Sequence, residues 1–210
     1  HVATHAAQLV LDGERAAYAL CRPPGHHAYA DRANGFTYLN NAAIAAQQLR
    51  QRHARVAVLD IDVHHGNGTQ GIFWRRSDVL TISLHGDPHF CTPFFTGHAH
   101  ERGDGDGLGY NLNLPLAKGT GDAGFLAALA VALQRITDYA PGALVVALGL
   151  DAHERDPYQA LAVTTPGFGQ VLAAIARLGL PTVLVQEGGY LSDDLGLSLR
   201  SALRGFLSAA

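Results

Sequence analysis

Five apolar runs in this chain carry little or no polar alternation: YALC at 18–21, RVAVLDID at 55–62, VLTISLH at 79–85, ALVVALGL at 143–150 and TVLVQE at 182–187. A strand with one wet face alternates polar and apolar residues. Runs like these suit strands buried on both faces, as in a parallel sheet covered by helices. Between them lie segments with helical spacing, at 39–53, 121–140, 166–180 and 193–209. Strands alternating with helices predict a doubly wound α/β fold. The helix starts carry suitable signals: Asp122, Pro166, and the pair Asp193 and Asp194. Residues 86–120, rich in Gly, Pro and Asp, fit neither pattern and read as one long functional or disordered loop.

No composition shift marks a second domain, so residues 1–210 read as a single domain. The opening HVATHAAQLVLDG reads as a helix already under way, and the chain contains no Met. It therefore reads as a domain lacking its N-terminal part. A net charge of −3 without a basic block argues against a nucleic-acid partner. The apolar runs are too short to span a bilayer, and no signal-peptide pattern is seen. Cys21 and Cys91 do not make a disulfide framework. The expectation is reduced thiols and a cytoplasmic location.

In open α/β sheets, ligands bind beyond the carboxyl ends of the strands. Those ends read CRPPGHH, DIDVHHGNG, SLHGDPHF, LGLDAHERDP and QEGGY. They collect His26, His27, Asp60, Asp62, His64, His65, Asp151, His153 and Tyr190, an inventory of imidazoles and carboxylates suited to a metal. If strand periodicity continues through DIDVHH, Asp62 and His64 share one side, with Asp60, while His65 faces away. Asp151 is the best candidate for a third ligand. Two carboxylates and one imidazole, with a position left open, describe a catalytic rather than a structural zinc site. Zinc would polarise a carbonyl and acidify water. His26 and His27, after the rigid RPPG turn, could act as base and acid, each oriented by a partner, with Asp60 and Asn67 as candidates. Tyr190, after two glycines, could stabilise an oxyanion. Other histidines (His5, His53, His89, His98 and His100) read as structural or exposed.

RPPGHH, DIDVHHGNGT, GLDAHERDP and QEGGY, in that order, resemble the zinc-dependent histone deacetylase and acetylpolyamine amidohydrolase family. PFFTG, NLNLPL and QEGGY resemble its bacterial acetylpolyamine amidohydrolase-like branch. The resemblance implies an arginase-like α/β/α three-layer sandwich with a mainly parallel sheet. It implies Zn2+ on Asp62, His64 and Asp151, catalysis by His26, His27 and Tyr190, and orientation of the histidines by Asp60 and Asn67. It implies a substrate tunnel walled by Phe36 and Phe95, with Gly35, Gly188 and Gly189 beside it. A monovalent cation, K+, would lie at Asp60, Asp62, His64, Ser83 and Leu84. The implied reaction releases acetate from a linear cationic amine, either a small acetylated amine or an acetyl-lysine protein, and a homodimer is one implied assembly. Family members carry further chain before RPPGHH, including a strand and a rim loop.

Two other readings stand beside this one. A module that binds metal or acetylated amine without turnover would keep the same ligands. DAHERD is also similar to the dinuclear metal motif of arginases, which would recruit His153 and Asp156. Against that, Asn67 is neutral where a second metal would want a carboxylate. In the rim, Glu101, Asp104 and Asp106 would favour a cationic substrate.

Overall fold

The computed structural model describes residues 1–210. Its six strands are β1 (Ala16–Ala19), β2 (Val56–Asp60), β3 (Val79–Gly86), β4 (Asn111–Leu116), β5 (Ala143–Leu148) and β6 (Thr182–Gln186). They form one sheet in the order β1-β6-β5-β2-β3-β4, and every pairing is parallel. The helices are α1 (Val2–Leu11), α2 (Asn41–Leu49), α3 (Asn67–Phe73), α4 (Asp122–Tyr139), α5 (Thr165–Ala176) and α6 (Leu195–Ala209).

The absence of polar alternation has the expected cause. Val56 and Val58 of β2, with Ala143, Val145 and Ala147 of β5, pack into a core shared with α1, α2 and α3. The intervening Ala57 and Leu59, with Leu144, Val146 and Leu148, pack into a second core with α4, α5 and α6. Both faces of the sheet are therefore dry, which makes three layers of helix, sheet and helix. No helix is long and apolar enough to cross a membrane.

Local chemistry sets the helix starts. The Asn40 side chain accepts from the Ala43 N–H at 2.9 Å and caps α2. Thr164 accepts from the Gly167 N–H at 3.0 Å and caps α5, with Pro166 in its first turn. Asp194 occupies the cap position of α6 but makes no side-chain capping bond.

Two sequence expectations are corrected, and a segment the sequence left unassigned proves to be a helix. The segment 86–120 is not one loop, because it contains β4. This edge strand pairs with β3 alone, tolerates Pro115, and turns Asn111 and Asn113 inward to donate to Gln70 Oε1 at 3.0 and 2.9 Å. The residues NGTQGIF, assigned to no element from the sequence, form helix α3. Finally, β2 ends at Asp60, not Asp62. Beyond it, carboxylates take over from the ladder: the Asp62 N–H donates to Asp60 Oδ1 at 3.0 Å, and the His64 N–H donates to Asp62 Oδ1 at 2.9 Å. Aspartate favours this local side-chain-to-backbone geometry over continued strand.

Candidate metal centre

The order of the sheet reverses between β2 and β5: chain order runs outward through β3 and β4 on one side, and through β6 on the other. A crevice opens at the carboxyl ends of strands at such a point. Asp62 lies two residues past β2 and Asp151 three residues past β5, so the reversal alone brings them together. The ligand atoms of Asp62, His64 and Asp151 all lie within 4.8 Å of one another, and all three residues are buried. His64 Nδ1 sits 3.1 Å from Asp62 Oδ1 and 3.2 Å from Asp151 Oδ2.

Backbone amides hold the aspartates in place. The Gly188 N–H donates to Asp62 Oδ2 at 2.8 Å, and the Val63 N–H donates to Asp151 Oδ1 at 2.9 Å. Gly188 must be glycine here. A Cβ would lie 2.5 Å from Asp62 Oδ2 and 2.9 Å from Asp151 Cγ.

The charges make the case for a cation. Asp60, Asp62, Asp151 and Glu187 are all buried at this edge. The three aspartates form ion pairs only with His26 and His64, while the arginine ion pairs involve Asp78, Asp104 and Asp194. Buried carboxylates without a strong partner are costly. Burial opposes charge on His64, yet Asp151 and Asp62 push its imidazole up to about 12. Burial and the Asp62 charge raise the Asp151 carboxyl to about 6. Two oxygens and one imidazole nitrogen in such a field fit a divalent metal such as zinc.

The tandem histidines follow different partners. His26 Nδ1 lies 2.9 Å from Asp60 Oδ2, and its Nε2 lies 3.7 Å from Asp62 Oδ1. His27 Nδ1 lies 2.6 Å from Asn67 Oδ1. The Asn67 amide donates to Tyr29 Oη at 3.1 Å, which turns its oxygen toward His27. His27 therefore carries its proton on Nδ1 and leaves Nε2 with a lone pair. Burial opposes charge on His26, but Asp62 and Asp60 outweigh it and push the ring up to about 10. Burial, then the His26 charge, holds His27 down at about 3.

His26, His27, Asp62, His64, Asp151 and Tyr190 line one cavity of about 100 Å³, together with Gly35, Phe36 and Gly188. Gly35 has φ +52°, and a Cβ there would meet the His27 ring, 2.6 Å from Cγ. A larger groove of about 540 Å³ lies beside Tyr38, Leu39 and Ile44, but it holds no cluster of metal-ligating groups. Burial, then the Asp151 and Asp62 charges, pushes the Tyr190 phenol above its usual range, so it stays a donor at neutral pH.

Several expected residues sit elsewhere. Phe95 is 68% exposed and does not line the cavity; Thr92 and Pro24 do. Gly189, at φ +136°, is also outside the lining and approaches Leu195 and Leu150. Asp60 and Ser83 are register partners across β2 and β3, and Leu84 is buried. Ser83 Oγ lies 2.8 Å from His85 Nδ1.

His153 takes a structural position. Its Nδ1 accepts from the Arg155 N–H at 3.1 Å, and its Nε2 lies 3.1 Å from Thr165 Oγ1. Asp156 accepts from the Tyr158 N–H at 2.9 Å, and neither residue belongs to a metal-ligating cluster. Two of the three rim acids are engaged as well. Glu101 turns inward to Gln70, Thr96 and Gly97, and Asp104 pairs with Arg75 at 2.6 Å.

Two neighbours of the site escape sequence reasoning. Tyr158 lines the cavity and packs edge-on, with ring centroids 4.8 Å from Tyr190 and 5.6 Å from His64. Glu187 is buried behind His26. The neighbouring Asp in DPY and the Glu in QEGGY were visible signals, but nothing in a strand-end reading ranks them above their neighbours.

A buried Asp–His–Asp cluster facing paired histidines, at the reversal of an all-parallel sheet, makes a candidate metal centre in a fold of the arginase/deacetylase-like α/β class. Comparison with known proteins narrows this. The histone deacetylase domain family matches residues 1–206. The chain is 56% identical over 201 residues to an acetylpolyamine amidohydrolase of Burkholderia pseudomallei, and 50% identical over 210 residues to acetylpolyamine amidohydrolase 1 of Pseudomonas aeruginosa. Those alignments cover 96% and 100% of this chain but 59% and 61% of the relatives. A crystal structure of the acetylpolyamine aminohydrolase from Burkholderia pseudomallei superposes with a TM-score of 0.97 at 55% identity, over 99% of this chain and 61% of that one. The chain belongs to the histone deacetylase family, and it spans about three fifths of the length of these relatives.

Proposed function

We propose that the protein containing this chain is a zinc-dependent deacetylase that removes acetate from an N-acetylated linear amine, with acetylpolyamines as its substrates. The observation that carries this reading is the single cavity onto which the Asp62–His64–Asp151 cluster, both histidines and Tyr190 all face. The relatives at 56% and 50% identity, both named acetylpolyamine amidohydrolases, favour a polyamine over an acetyl-lysine protein.

Asp62, His64 and Asp151 would hold the ion, which supplies Lewis-acid polarisation of a carbonyl and lowers the pKa of water. The chain's own residues do the rest. His27, neutral and with its Nε2 lone pair free, takes a proton from the attacking water. It then returns that proton to the departing amine, so one group serves as base and acid in turn. His26, held through Nδ1 by Asp60, is the second imidazole placed to hold or move a proton at the site. The protonated Tyr190 phenol donates to the oxyanion that forms as the carbonyl carbon becomes tetrahedral. Phe36 and Tyr158, which both line the cavity, wall the path of the linear chain. A monovalent cation such as K+ beside the site, at Asp60, Asp62, His64, Ser83 and Leu84, belongs to the same proposal.

The test is acetate release by the intact, zinc-loaded protein from acetylputrescine and from an acetyl-lysine peptide, side by side. Turnover of acetylputrescine in preference to the peptide is the expected result. Preference for the peptide would overturn the substrate assignment, and no acetate from either, with zinc bound, would overturn the deacetylase reading.

A further inference from the structure

The RPPGHH segment that carries both histidines belongs to no strand and to no helix. Yet it must hold His26 within hydrogen-bond reach of Asp60 and His27 within reach of Asn67. Its carbonyl side is tied down from α3: the Thr69 N–H donates to the His26 carbonyl at 3.1 Å. Asn40 adds a donor to the Ala28 carbonyl at 3.0 Å. The amide side depends on one residue. Glu187, just past β6, accepts from the Gly25 N–H at 2.6 Å and from the His26 N–H at 3.0 Å, both through Oε2. Its Oε1 is buried and has no hydrogen-bond partner.

We propose that Glu187 is a positioning residue for His26, its carboxylate clamping the Gly25–His26 backbone so that the ring stays between Asp60 and Asp62. This rests on the functional reading above. A carboxylate in this place is costly, since burial pushes its carboxyl up to about 7. An apolar residue of similar size would pack the end of β6 without that cost. What the carboxylate adds is a pair of short acceptor bonds to two successive amides, the strong charge-assisted kind. Tying down the peptide on each side of the His26 Cα, one through its N–H and the next through its C=O, leaves the attached imidazole little freedom. Groups that orient a catalytic or metal-binding residue typically matter by roughly 10–100-fold.

The experiment compares Glu187→Ala and Glu187→Gln in the intact, zinc-loaded protein. The Gln carbonyl oxygen can accept both N–H groups, so it should preserve the clamp without the charge; Ala cannot. Three quantities are read: kcat per bound zinc, KM, and the exchange protection of the Gly25 and His26 amides by NMR. The proposal predicts that Ala lowers kcat per bound zinc by roughly 10–100-fold, leaves KM within about twofold, and exposes both amides to exchange, while Gln restores all three. A purely structural role would instead lower the melting temperature and the zinc content together, with kcat per bound zinc unchanged; that result overturns the proposal. So would protected amides in Glu187→Ala. If the unmodified protein releases no acetate, the functional reading fails, and amide exchange alone decides whether Glu187 clamps the turn.

Discussion

Replacing Gly188 with Ala tests whether the metal cluster is as tightly packed as its geometry implies. The added Cβ would lie 2.5 Å from Asp62 Oδ2 and 2.9 Å from Asp151 Cγ, inside contact distance of both aspartates. Neither has room to yield. Both are fully buried, and each has its other oxygen, or the same one, held by a backbone amide. To regain ordinary contact the carboxylates must retreat by about 1 Å. Metal sites tolerate deviations of only about 0.2 Å in ligand distance. A misplacement of about 1 Å at a reacting centre costs roughly 100-fold. The expected effect is a fall in zinc affinity of about two orders of magnitude, or about 2.8 kcal/mol. Competition against a chelator of known affinity measures it directly, with a melting curve of the metal-free protein as control. Zinc affinity within threefold of the original, in a folded variant, would refute the claim that Gly188 sets the ligand spacing.

Other expectations follow from the same geometry. Asp151→Asn should remove one of the two charges that attract the cation, lowering zinc content by equilibrium dialysis and abolishing acetate release; full zinc occupancy would contradict the ligand assignment. Tyr190→Phe should retain zinc but lower kcat by roughly 100–1,000-fold, as loss of one oxyanion donor does; unchanged turnover would remove that role. Asn67→Leu should lower kcat with zinc content intact, because His27 loses the acceptor that fixes its tautomer. His85 offers a pH test. Burial holds it down at about 4 in the folded state, against an ordinary value near 6.5. The unfolded chain therefore binds this proton more readily, so stability is unpenalised above about pH 6.5 and declines as pH falls toward 4, by roughly 3 kcal/mol at most. His85→Gln should flatten that part of the melting-temperature profile; an unchanged slope would show that His85 is not its source.

The three-layer architecture is legible because physics writes it into composition. Val56 through Leu59 and Leu144 through Leu148 face two dry cores, so they cannot alternate with polar residues. The grouping of Asp62, His64 and Asp151 is legible for a related reason: each follows a strand end, and strands that are neighbours at the reversal bring their ends together. The periodicity invoked for DIDVHH was the wrong cause, since the strand stops at Asp60 and side-chain-to-backbone bonds set the later geometry. β4 was hidden because an edge strand needs only one partner and can hold Asn and Pro. α3 was hidden because glycines open it: a Cβ on Gly68 would strike the Ala28 backbone, so close packing rather than helix propensity selected that residue. Phe95 is 68% exposed, and a loop side chain is placed by tertiary contacts that the motif does not contain, so the sequence alone does not fix its position relative to the cavity. Glu187 was invisible because its role depends on a turn more than 160 residues away in the sequence.

The central claim is that Asp62, His64 and Asp151 together hold one ion on which acetate release depends. The most direct test measures zinc per chain and acetate release from acetylputrescine on the same sample of the intact protein, before chelation, after chelation and after zinc is restored. Activity that falls with the zinc and returns at one ion per chain is the predicted result. Acetate release that persists once the zinc is gone, or one zinc bound per chain without any acetate release, would contradict the account.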